Sequence, residues 1–233
     1  MKEIPVIAID GTTGSGKGSI GARLAAKLRW HFLDSGAIYR ILAVAALRKN
    51  IDAGDHKALH SLAHDLEVRF EAISGQAQRI IYAGSDITVL IRQEECGVFA
   101  SKIAVLPEVR SALLQRQRRF KRPPGLVADG RDMGTVVFPE AILKLFVDAD
   151  AKERASRRQK QLQTYGINGS FNQILQDLIK RDQRDEKRAV APLKPAEDAV
   201  VVDTTNIGLD EVFAEVWRLV EARGVAVGDH KKT

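Results

Sequence analysis

One glycine-rich segment could do chemistry on a nucleotide. Its nine residues lie between an apolar run and a helical pattern: Gly11, Thr12, Thr13, Gly14, Ser15, Gly16, Lys17, Gly18 and Ser19. Glycines let consecutive backbone N–H groups turn inward onto phosphate oxygens, and the N-terminus of the following helix adds positive potential. Lys17 can bridge the outer phosphates and offset charge that shifts as a bond breaks. The alternative is a glycine-rich turn without a ligand, but the flanking strand and helix favour a phosphate loop that holds ATP.

The loop departs from the strict motif at a position that concerns metal binding. The motif has a hydroxyl residue directly after the lysine, whereas this chain has Gly18 there and Ser19 one position later. Mg²⁺ often keeps several waters and is held mainly by substrate phosphates. We therefore expect Mg²⁺ as cofactor with no certain direct protein ligand, and with Asp34, Asp129 and Ser19 as outer-shell candidates.

Arginines at the ends of predicted strands could serve a second phosphate group. A monophosphate acceptor brings about two negative charges to a donor that carries about four, so fixed cations must suppress their repulsion. Arg40 lies beyond the second predicted strand and Arg131 just past the third. The planar guanidinium fork suits phosphate oxygens. A single arginine is more often a solvated surface charge, and the position of these two favours a site.

Charged residues also recur at helical spacing late in the chain. Arg181, Asp185 and Arg188 are spaced i, i+4 and i+7, which predicts one shared helix face. An ordinary salt bridge worth a few tenths of a kcal/mol is the alternative interpretation. Arg154, Arg157 and Arg158 form another basic cluster, ahead of a turn at residues 165–169. We interpret this second cluster as part of a closing lid that brings arginine onto donor phosphates and excludes water.

The elements that must position these residues follow an α/β pattern. Strand-like runs alternate with helical stretches and predict a parallel sheet. The five predicted strands all end in aspartate: Val6–Asp10, His31–Asp34, Leu126–Asp129, Leu143–Asp148 and Val200–Asp203. Open α/β sheets bind ligands at the carboxyl ends of their strands, so some of these acids are expected to face a site. Others could only cap the next turn.

Between the second and third strands the pattern changes. Residues 66–73 and 79–83 flank a turn-like Ser74-Gly75-Gln76 and predict a β-hairpin, with Ile87–Leu90 as a possible third strand. Helices are expected on either side of Pro107. Ser170 followed by Gln173 is a capping-box signature at the start of a late helix. An amphipathic helix over 210–223 and a polar tail close the chain.

Composition sets broad limits. The chain has 233 residues, 45% of them apolar, a net charge of +6 and one cysteine, Cys96. This excludes an intrachain disulfide and suits a reducing compartment. The apolar run Ile4–Ile9 is far shorter than the roughly 20 residues that span a bilayer. We expect a cytoplasmic protein without a membrane segment.

Three further segments resemble one family. Residues 34–40 (Asp-Ser-Gly-Ala-Ile-Tyr-Arg), residues 129–135 (Asp-Gly-Arg-Asp-Met-Gly-Thr) and the late Arg181-Asp182, Arg184-Asp185 and Arg188 are similar to bacterial cytidylate kinases. The resemblance implies a P-loop three-layer α/β fold with a five-stranded parallel sheet. It also implies a core over 1–64, 106–150 and 189–224, an acceptor-binding insert over about 65–105, a lid and acceptor helix over about 151–188, and a tail over 225–233.

By this resemblance, the γ-phosphoryl group of ATP passes to CMP or dCMP, giving ADP and CDP or dCDP in pyrimidine nucleotide metabolism. Catalysis is assigned to Lys17, Arg131, Arg157 and Arg158, and ATP binding to residues 11–19 with Arg157. The acceptor residues are Ser35, Tyr39, Arg40, Ser101, Arg110, Gly130, Arg131, Asp132, Arg181, Asp185 and Arg188. Within that set Asp132, Ser101 and Arg110 contact the base, Arg181 and Asp185 the ribose, and Arg188 the phosphate. The resemblance also implies a monomer.

Two alternatives stay open. Another monophosphate, such as UMP, could be the acceptor. A basic ATPase that binds nucleic acid is the other class, motivated by the run Arg116–Arg122 and by Lys231-Lys232. Such runs are more often solvated faces, and this one lacks aromatic interleaving or an RNA-binding motif. We therefore expect no nucleic-acid partner.

Overall fold

The computed structural model describes residues 3–71, 79–164, 166 and 168–225. The strands are β1 Val6–Gly11, β2 His31–Asp34, β3 Val68–Glu71, β4 Arg79–Tyr82, β5 Ser85–Asp86, β6 Leu126–Gly130, β7 Leu143–Asp148 and β8 Val200–Asp203. The helices are α1 Lys17–Leu28, α2 Ser35–Arg48, α3 His56–His64, α4 Glu94–Ile103, α5 Pro107–Arg118, α6 Ala151–Gln163, α7 Phe171–Glu186 and α8 Leu209–Ala222. Two compact units divide the described chain, residues 3–34 with 118–225 and residues 35–117.

The first unit contains a parallel sheet of five strands in the order β2-β6-β1-β7-β8. All five strands predicted from the sequence are present, so the α/β prediction is confirmed. The register pairs Asp34 with Asp129 and Asp148 with Asp203, while Asp10 is opposite Gly130. The aspartates at the ends of these strands therefore all lie at the carboxyl-terminal end of the sheet, directly before the loops that follow.

The core of this unit forms between the central strands and two amphipathic helices. β1 is buried along its whole length, as expected for the middle strand of a covered parallel sheet. Ile20, Leu24 and Leu28 of α1 recur every four residues and pack with Val216 and Val220 of α8. Each fully buried side chain of this size contributes about 1.5–3 kcal/mol. This burial anchors the start of α1, and with it the glycine-rich loop.

A π-helical turn over Met133–Val137 follows β6. The N–H of Val137 donates to the carbonyl of Asp132 at 3.1 Å, and that of Phe138 to Met133 at 2.7 Å. Such turns are rare and occur often at functional sites. Here it fixes the backbone directly after Arg131 and Asp132.

The second unit contains α2, α3, α4 and most of α5, with a small antiparallel sheet in the order β3-β4-β5. The prediction of a third strand over Ile87–Leu90 was wrong, because the strand is Ser85–Asp86 and a 3₁₀ turn occupies Leu90–Arg92. The Asp86 carboxylate accepts from the N–H and the hydroxyl of Thr88, at 2.9 and 2.6 Å. This Asx turn ends the strand early. The predicted hairpin turn at residues 74–76 lies outside the described residues.

The late helices bear out most of the predicted boundaries. Helices lie on both sides of Pro107, and α8 begins and ends one residue from the predicted limits. The capping box was wrong in its chemistry. Ser170 has the N-cap position of α7, but its side chain makes no capping hydrogen bond. The Gln173 amide instead donates to Asp177 one turn later, at 2.9–3.0 Å, so the reciprocal contact is not formed.

Candidate active site

The glycine-rich loop connects β1 to α1, and two of its backbone positions require glycine. A Cβ on Gly11 would lie 1.9 Å from the carbonyl oxygen of Val147, so β7 comes too close for any side chain. Gly16 has φ +92° at the N-cap of α1, a conformation that side chains disfavour. The loop geometry is therefore set by backbone approach, as a phosphate cradle requires.

Hydrogen bonds inside the loop converge on one carbonyl. The Lys17 ammonium donates to the carbonyl oxygen of Thr12 at 2.9 Å, and the Ser15 hydroxyl donates to the same oxygen at 3.0 Å. The Thr12 hydroxyl in turn donates to Asp148 at the end of β7, at 2.5 Å. The loop is thus tied to the sheet at Thr12, and the Lys17 ammonium folds back onto its own loop.

The Lys17 ammonium interacts electrostatically with a buried carboxylate near the end of β6, that of Asp129. Burial lowers the pKa of Lys17 to about 8, Arg131 adds to the lowering, and Asp129 opposes it. Burial likewise raises the pKa of Asp129 to about 7, against the pull of Lys17, with Asp34 raising it further. Oδ1 of Asp129 has no hydrogen-bond partner among the described residues. Such a buried oxygen is costly unless a donor or a cation reaches it.

The geometry at Asp129 also explains the departure at Gly18. A Cβ on Gly18 would lie 3.0 Å from Oδ2 of Asp129. A serine or threonine side chain at position 18 would therefore crowd the Asp129 carboxylate. Ser19, the late hydroxyl, is exposed in the first turn of α1, and Asp34 is exposed at the end of β2. Among the described residues no group of three His, Cys, Asp or Glu could hold a metal ion.

The end of β1 carries a second buried carboxylate, which the sequence did not single out as a site residue. Asp10 Oδ1 accepts from the N–H of Met133 at 2.7 Å, and Oδ2 from the N–H of Gly134 at 2.8 Å. Burial raises the pKa of Asp10 to about 6, although these two N–H groups oppose the rise. Its position at a strand end was the only sequence signal, and it did not distinguish Asp10 from four other aspartates.

Arg131 joins the loop to α7. Its guanidinium donates to the Thr13 hydroxyl at 2.6 Å and to Asp185 at 3.0 Å, and also to the carbonyl of Gly130 at 3.0 Å. A Cβ on Gly130 would lie 2.8 Å from the Met133 side chain, which would have to shift to make room for it. The structure thus places one predicted catalytic arginine in contact with the donor loop and with a predicted acceptor residue.

In the predicted acceptor cluster at the end of α7, Asp185 and Arg188 are buried and Arg181 is partly buried. Asp185 lies 3.3 Å from the Arg188 guanidinium, and both residues are less than 10% exposed. Burial would raise the pKa of Asp185, but Arg131, Arg188 and Arg181 outweigh it and hold that pKa below its ordinary value. Helix α7 ends at Glu186, so Arg188 meets Asp185 from beyond the helix and not from the predicted helical face. Asp132 is also buried, at the start of the π-helical turn.

The three arginines of α6 differ in their surroundings. Arg154 is buried against Asp182 and donates to the carbonyls of Ala149 and Thr13 at 2.8 and 3.1 Å, so it braces the loop. Arg157 donates to the Thr204 carbonyl and hydroxyl at 2.6 and 2.9 Å, and to the Ser15 carbonyl at 3.4 Å. Arg158 donates to Gln161 at 2.8 Å. Of these three arginines, Arg154 and Arg157 donate to carbonyls of the phosphate loop, those of Thr13 and Ser15.

No sequence pattern pointed to Thr204 as a site residue. It is 1% exposed and follows the last aspartate of β8. Its hydroxyl lies 3.0 Å from the Ser15 carbonyl and 3.1 Å from that of Asp148. It therefore ties the loop to the strand edge and supports Arg157.

The second unit holds the other predicted acceptor residues. Ser35 and Tyr39 are buried on α2, and the Arg40 guanidinium donates to the Ile91 carbonyl at 2.8 Å. A Cβ on Gly97 of α4 would lie 3.3 Å from that guanidinium. On the helices that follow, Arg110 donates to the Ala104 carbonyl at 3.1 Å. The Ser101 hydroxyl is buried and has no hydrogen-bond partner among the described residues.

Part of the basic run at 116–122 makes contacts within the protein. The Arg118 guanidinium donates to the carbonyls of Val137 and Val136 at 3.1 and 3.2 Å. Lys121 pairs with Glu140 at 2.9 Å. These cations help to hold the π-helical turn and its end. Searched over the described residues, the helices include none with the length and apolarity of a membrane span.

Comparison with known proteins places the chain in one family. The family model described as cytidylate kinase matches residues 7–222. A cytidylate kinase of Aeromonas hydrophila is 54% identical over 93% of this chain and 94% of its own length. Those of Aliivibrio salmonicida and Stutzerimonas stutzeri are both 52% identical, over 94% and 97% of this chain and 97% and 99% of their own lengths. The glycine-rich loop, the Asp-Gly-Arg-Asp-Met-Gly segment and the arginine-rich α7 thus lie within a match that spans nearly the whole chain, which belongs to the cytidylate kinase family.

Proposed function

We propose that this chain transfers the γ-phosphoryl group of ATP to CMP or dCMP, giving ADP and CDP or dCDP. The observation that carries the proposal is Arg131, whose guanidinium contacts both Thr13 of the phosphate loop and Asp185 of the acceptor cluster. The Arg131 side chain thus connects the loop proposed to bind ATP with a residue proposed to bind the acceptor. The names of the relatives support the same reaction.

The loop receives the donor. Backbone N–H groups of residues 11–19 hold the phosphates of ATP, and Lys17 exchanges its bond to the Thr12 carbonyl for a phosphate oxygen. That exchange is inexpensive, because a neutral carbonyl is a weaker acceptor for an ammonium than an anionic oxygen. Arg157 and Arg158 add positive charge from α6, where Arg157 is already held beside Ser15.

The residues beneath the loop fit a hydrated magnesium ion. Asp129 has a buried oxygen with no described hydrogen-bond partner, and Asp34, the last residue of the neighbouring strand β2, is paired with Asp129 in the sheet register. Mg²⁺ usually retains water and is held through one or two carboxylates together with substrate phosphates. Asp129 and Asp34 would hold it through water. When bound, the ion would neutralise charge on the donor phosphates.

The acceptor is held by arginines and by the Asp185 carboxylate. Arg188 and Arg40 bind its phosphate, and Arg181 and Asp185 bind the ribose hydroxyls. Ser101, Arg110 and Asp132 pair with the base. The buried Ser101 hydroxyl supports this role, because it has no hydrogen-bond partner in the part of the chain that the structure describes and a buried hydroxyl needs one. Ser35, Tyr39 and Gly130 are the remaining residues that we assign to the acceptor.

Phosphoryl transfer needs little acid–base chemistry here, because the acceptor phosphate is already an anion. The rate comes from alignment of the two phosphates and from fixed cations around the transferred group. Lys17, Arg131, Arg157 and Arg158 supply those cations. Since Arg131 is itself fixed by Asp185, binding of the acceptor and placement of this cation are linked.

The decisive experiment is a coupled ADP-release assay with CMP, dCMP, UMP, AMP and GMP at fixed ATP and Mg²⁺. We expect CMP and dCMP to be phosphorylated with much higher kcat/KM than the other three. Equal rates for UMP would favour the broader monophosphate kinase, and no preference for cytidine nucleotides would overturn the proposal. ATP hydrolysis that only oligonucleotides stimulate would favour a nucleic-acid-binding ATPase.

A calorimetric titration with CMP tests the acceptor cluster directly. Asp185→Asn should weaken CMP binding, because the neutral amide no longer holds Arg131 and Arg188 or accepts from two hydroxyls. Asp177→Asn on the same helix is the matched control, since Asp177 contacts only Gln173 in the bonds described above. Normal CMP binding by Asp185→Asn would contradict the ribose role. The monomeric state, the cytoplasmic location and the absence of a nucleic-acid partner stay predictions.

A further inference from the structure

Asp10 is a buried acid that the proposed reaction does not use. It is 5% exposed and lies at the end of β1, one residue before the phosphate loop. Both of its carboxylate oxygens accept from backbone N–H groups, those of Met133 and Gly134, at 2.7 and 2.8 Å. Its partners are 123 and 124 residues away in the chain. A carboxylate is kept in this buried place by contacts that only the tertiary fold provides.

Those N–H groups need an acceptor. Met133 and Gly134 begin the π-helical turn, and the first N–H groups of a helical turn have no partner within it. Gly130, which is opposite Asp10 in the sheet, ends β6, so ladder hydrogen bonds stop there. The Asp10 side chain continues the connection between the two segments past the point where the strands end.

Arg131 and Asp132 lie between two contacts that join their segment to the start of the phosphate loop. On one side the Arg131 guanidinium donates to Thr13 at 2.6 Å, and on the other the Asp10 carboxylate holds Met133 and Gly134. The segments 10–13 and 131–134 are therefore joined twice. Because the backbone directly after residue 132 is held in place, the backbone of Arg131 is held too. The Arg131 guanidinium is thereby positioned to contact both Thr13 and Asp185.

We propose that Asp10 is a positioning residue for phosphoryl transfer, whose carboxylate fixes segment 131–134 against the phosphate loop and so sets the Arg131 guanidinium. The inference rests on the proposed function only in that Arg131 acts in catalysis. Asp10 itself touches neither substrate. Its contribution passes through the backbone of the Asp-Gly-Arg-Asp-Met-Gly segment.

The chemistry predicts which substitution breaks the contact. Asparagine has the same shape but only one acceptor oxygen, so its amide NH₂ faces one of the two N–H donors. Misplacement of a reacting group by about 1 Å can cost about 100-fold in rate. We expect Asp10→Asn to lower kcat/KM for the best acceptor by about 10- to 100-fold, with ATP binding measured by calorimetry changed less than about threefold.

The test is a double-mutant cycle with Arg131→Ala. If Asp10 acts through Arg131, adding Asp10→Asn to Arg131→Ala should lower kcat/KM by less than about threefold further, because coupled sites are not additive. A purely structural role would give the same factor in both backgrounds. Asp203→Asn is the control, because Asp203 also accepts from a backbone N–H at a strand end, that of Thr205 at 2.8 Å. This control should match wild type.

The outcomes separate the two hypotheses. Wild-type protein inactive on every monophosphate would overturn the proposed function, whereas active wild type with unchanged Asp10→Asn kinetics would overturn the positioning role. Equal factors in both Arg131 backgrounds would also overturn it. If Asp10→Asn does not fold by circular dichroism, Asp10→Ser, which keeps one acceptor, is taken through the same cycle. Failure of both to fold would make Asp10 a folding residue and refute the proposal.

Discussion

The ends of β1 and β6 lie side by side in the sheet and carry buried aspartates with opposite surroundings. Both oxygens of Asp10 are held by backbone N–H groups, whereas Asp129 has one oxygen without a described hydrogen-bond partner and faces Lys17. The Asp10 carboxylate holds the backbone of the π-helical turn in place, whereas the Asp129 carboxylate interacts with the charge of Lys17 in the loop. Position at a strand end alone therefore does not reveal what an acid does.

The remaining strand ends extend the comparison. Asp148 accepts from the Thr12 hydroxyl and from the N–H of Ala149, and Asp203 accepts from Thr205. These acids cap and brace, as Asp10 does. Of the five aspartates at the ends of the parallel strands, Asp129 is the one that combines burial, an oxygen with no hydrogen-bond partner among the described residues, and a neighbouring cation, Lys17.

The largest expected effect comes from removing Lys17, the cation that lies next to Asp129 of β6. Lys17→Ala should lower kcat by roughly 100- to 1000-fold, a cost typical for loss of one stabilising group at the reacting charge. CMP binding should be largely kept, because Lys17 contacts the loop and not the acceptor cluster. Steady-state kinetics with calorimetry of CMP measure both. Lys27→Ala, on the outer part of α1 beside Trp217, is the control and should be neutral.

The raised pKa of Asp10, at the end of β1, predicts that the stability of the protein depends on pH. The pKa of Asp10 is raised from 3.8 to about 6 in the folded state, so the folded protein holds this proton more tightly than the unfolded chain. Its stabilising contribution is present below pH 4 and is lost as pH rises through 6, by at most about 3 kcal/mol at 1.36 kcal/mol per unit.

Urea denaturation from pH 4 to 8 checks this effect. The free energy of unfolding of wild type minus that of Asp10→Asn should fall between pH 4 and 6.5 and then stay level. A difference that rises with pH would contradict the raised pKa. Asp203→Asn, at an exposed strand end, should show no such fall.

Asp129→Asn sharpens the contrast with Asp10. Loss of this carboxylate should lower activity by about 10- to 100-fold and raise the Mg²⁺ concentration required, as loss of an outer-shell partner does. Stability at pH 8 should change little, because removal of the buried carboxylate ends its own desolvation cost but also leaves the Lys17 ammonium without this counter-charge. A magnesium titration and a urea transition measure the two effects. A large loss of stability would show that Asp129 braces the fold as Asp10 does.

The smallest effect is expected at Gly18. An alanine there brings its Cβ to 3.0 Å from Oδ2 of Asp129. The carboxylate has to shift by a few tenths of an ångström. A side chain pushed off its rotamer minimum costs about 0.5–1.5 kcal/mol, which is roughly a two- to tenfold loss of kcat/KM. In the Asp129→Ala background the same substitution should be neutral. An equal loss in both backgrounds would mean that Gly18 serves the backbone and not Asp129.

Much of the fold followed from local patterns. Apolar runs that end in aspartate located all five parallel strands, because burial of a central strand dictates its composition over a few residues. The third strand of the small sheet was missed, since a side chain, that of Asp86, decides where the ladder stops. The capping box failed for a similar reason, because Gln173 found Asp177 in place of the helix N-terminus.

The sequence by itself determined the phosphate loop, the sheet and the cation-rich segments that resemble cytidylate kinases, since these depend on residues close in the chain. Tertiary structure alone decided which aspartate is satisfied, that Arg154 braces the loop, and that Arg131 joins Thr13 to Asp185. Each of these depends on hydrogen bonds between groups far apart in sequence. Such bonds form only after the strands have brought their ends together, and no local pattern encodes them.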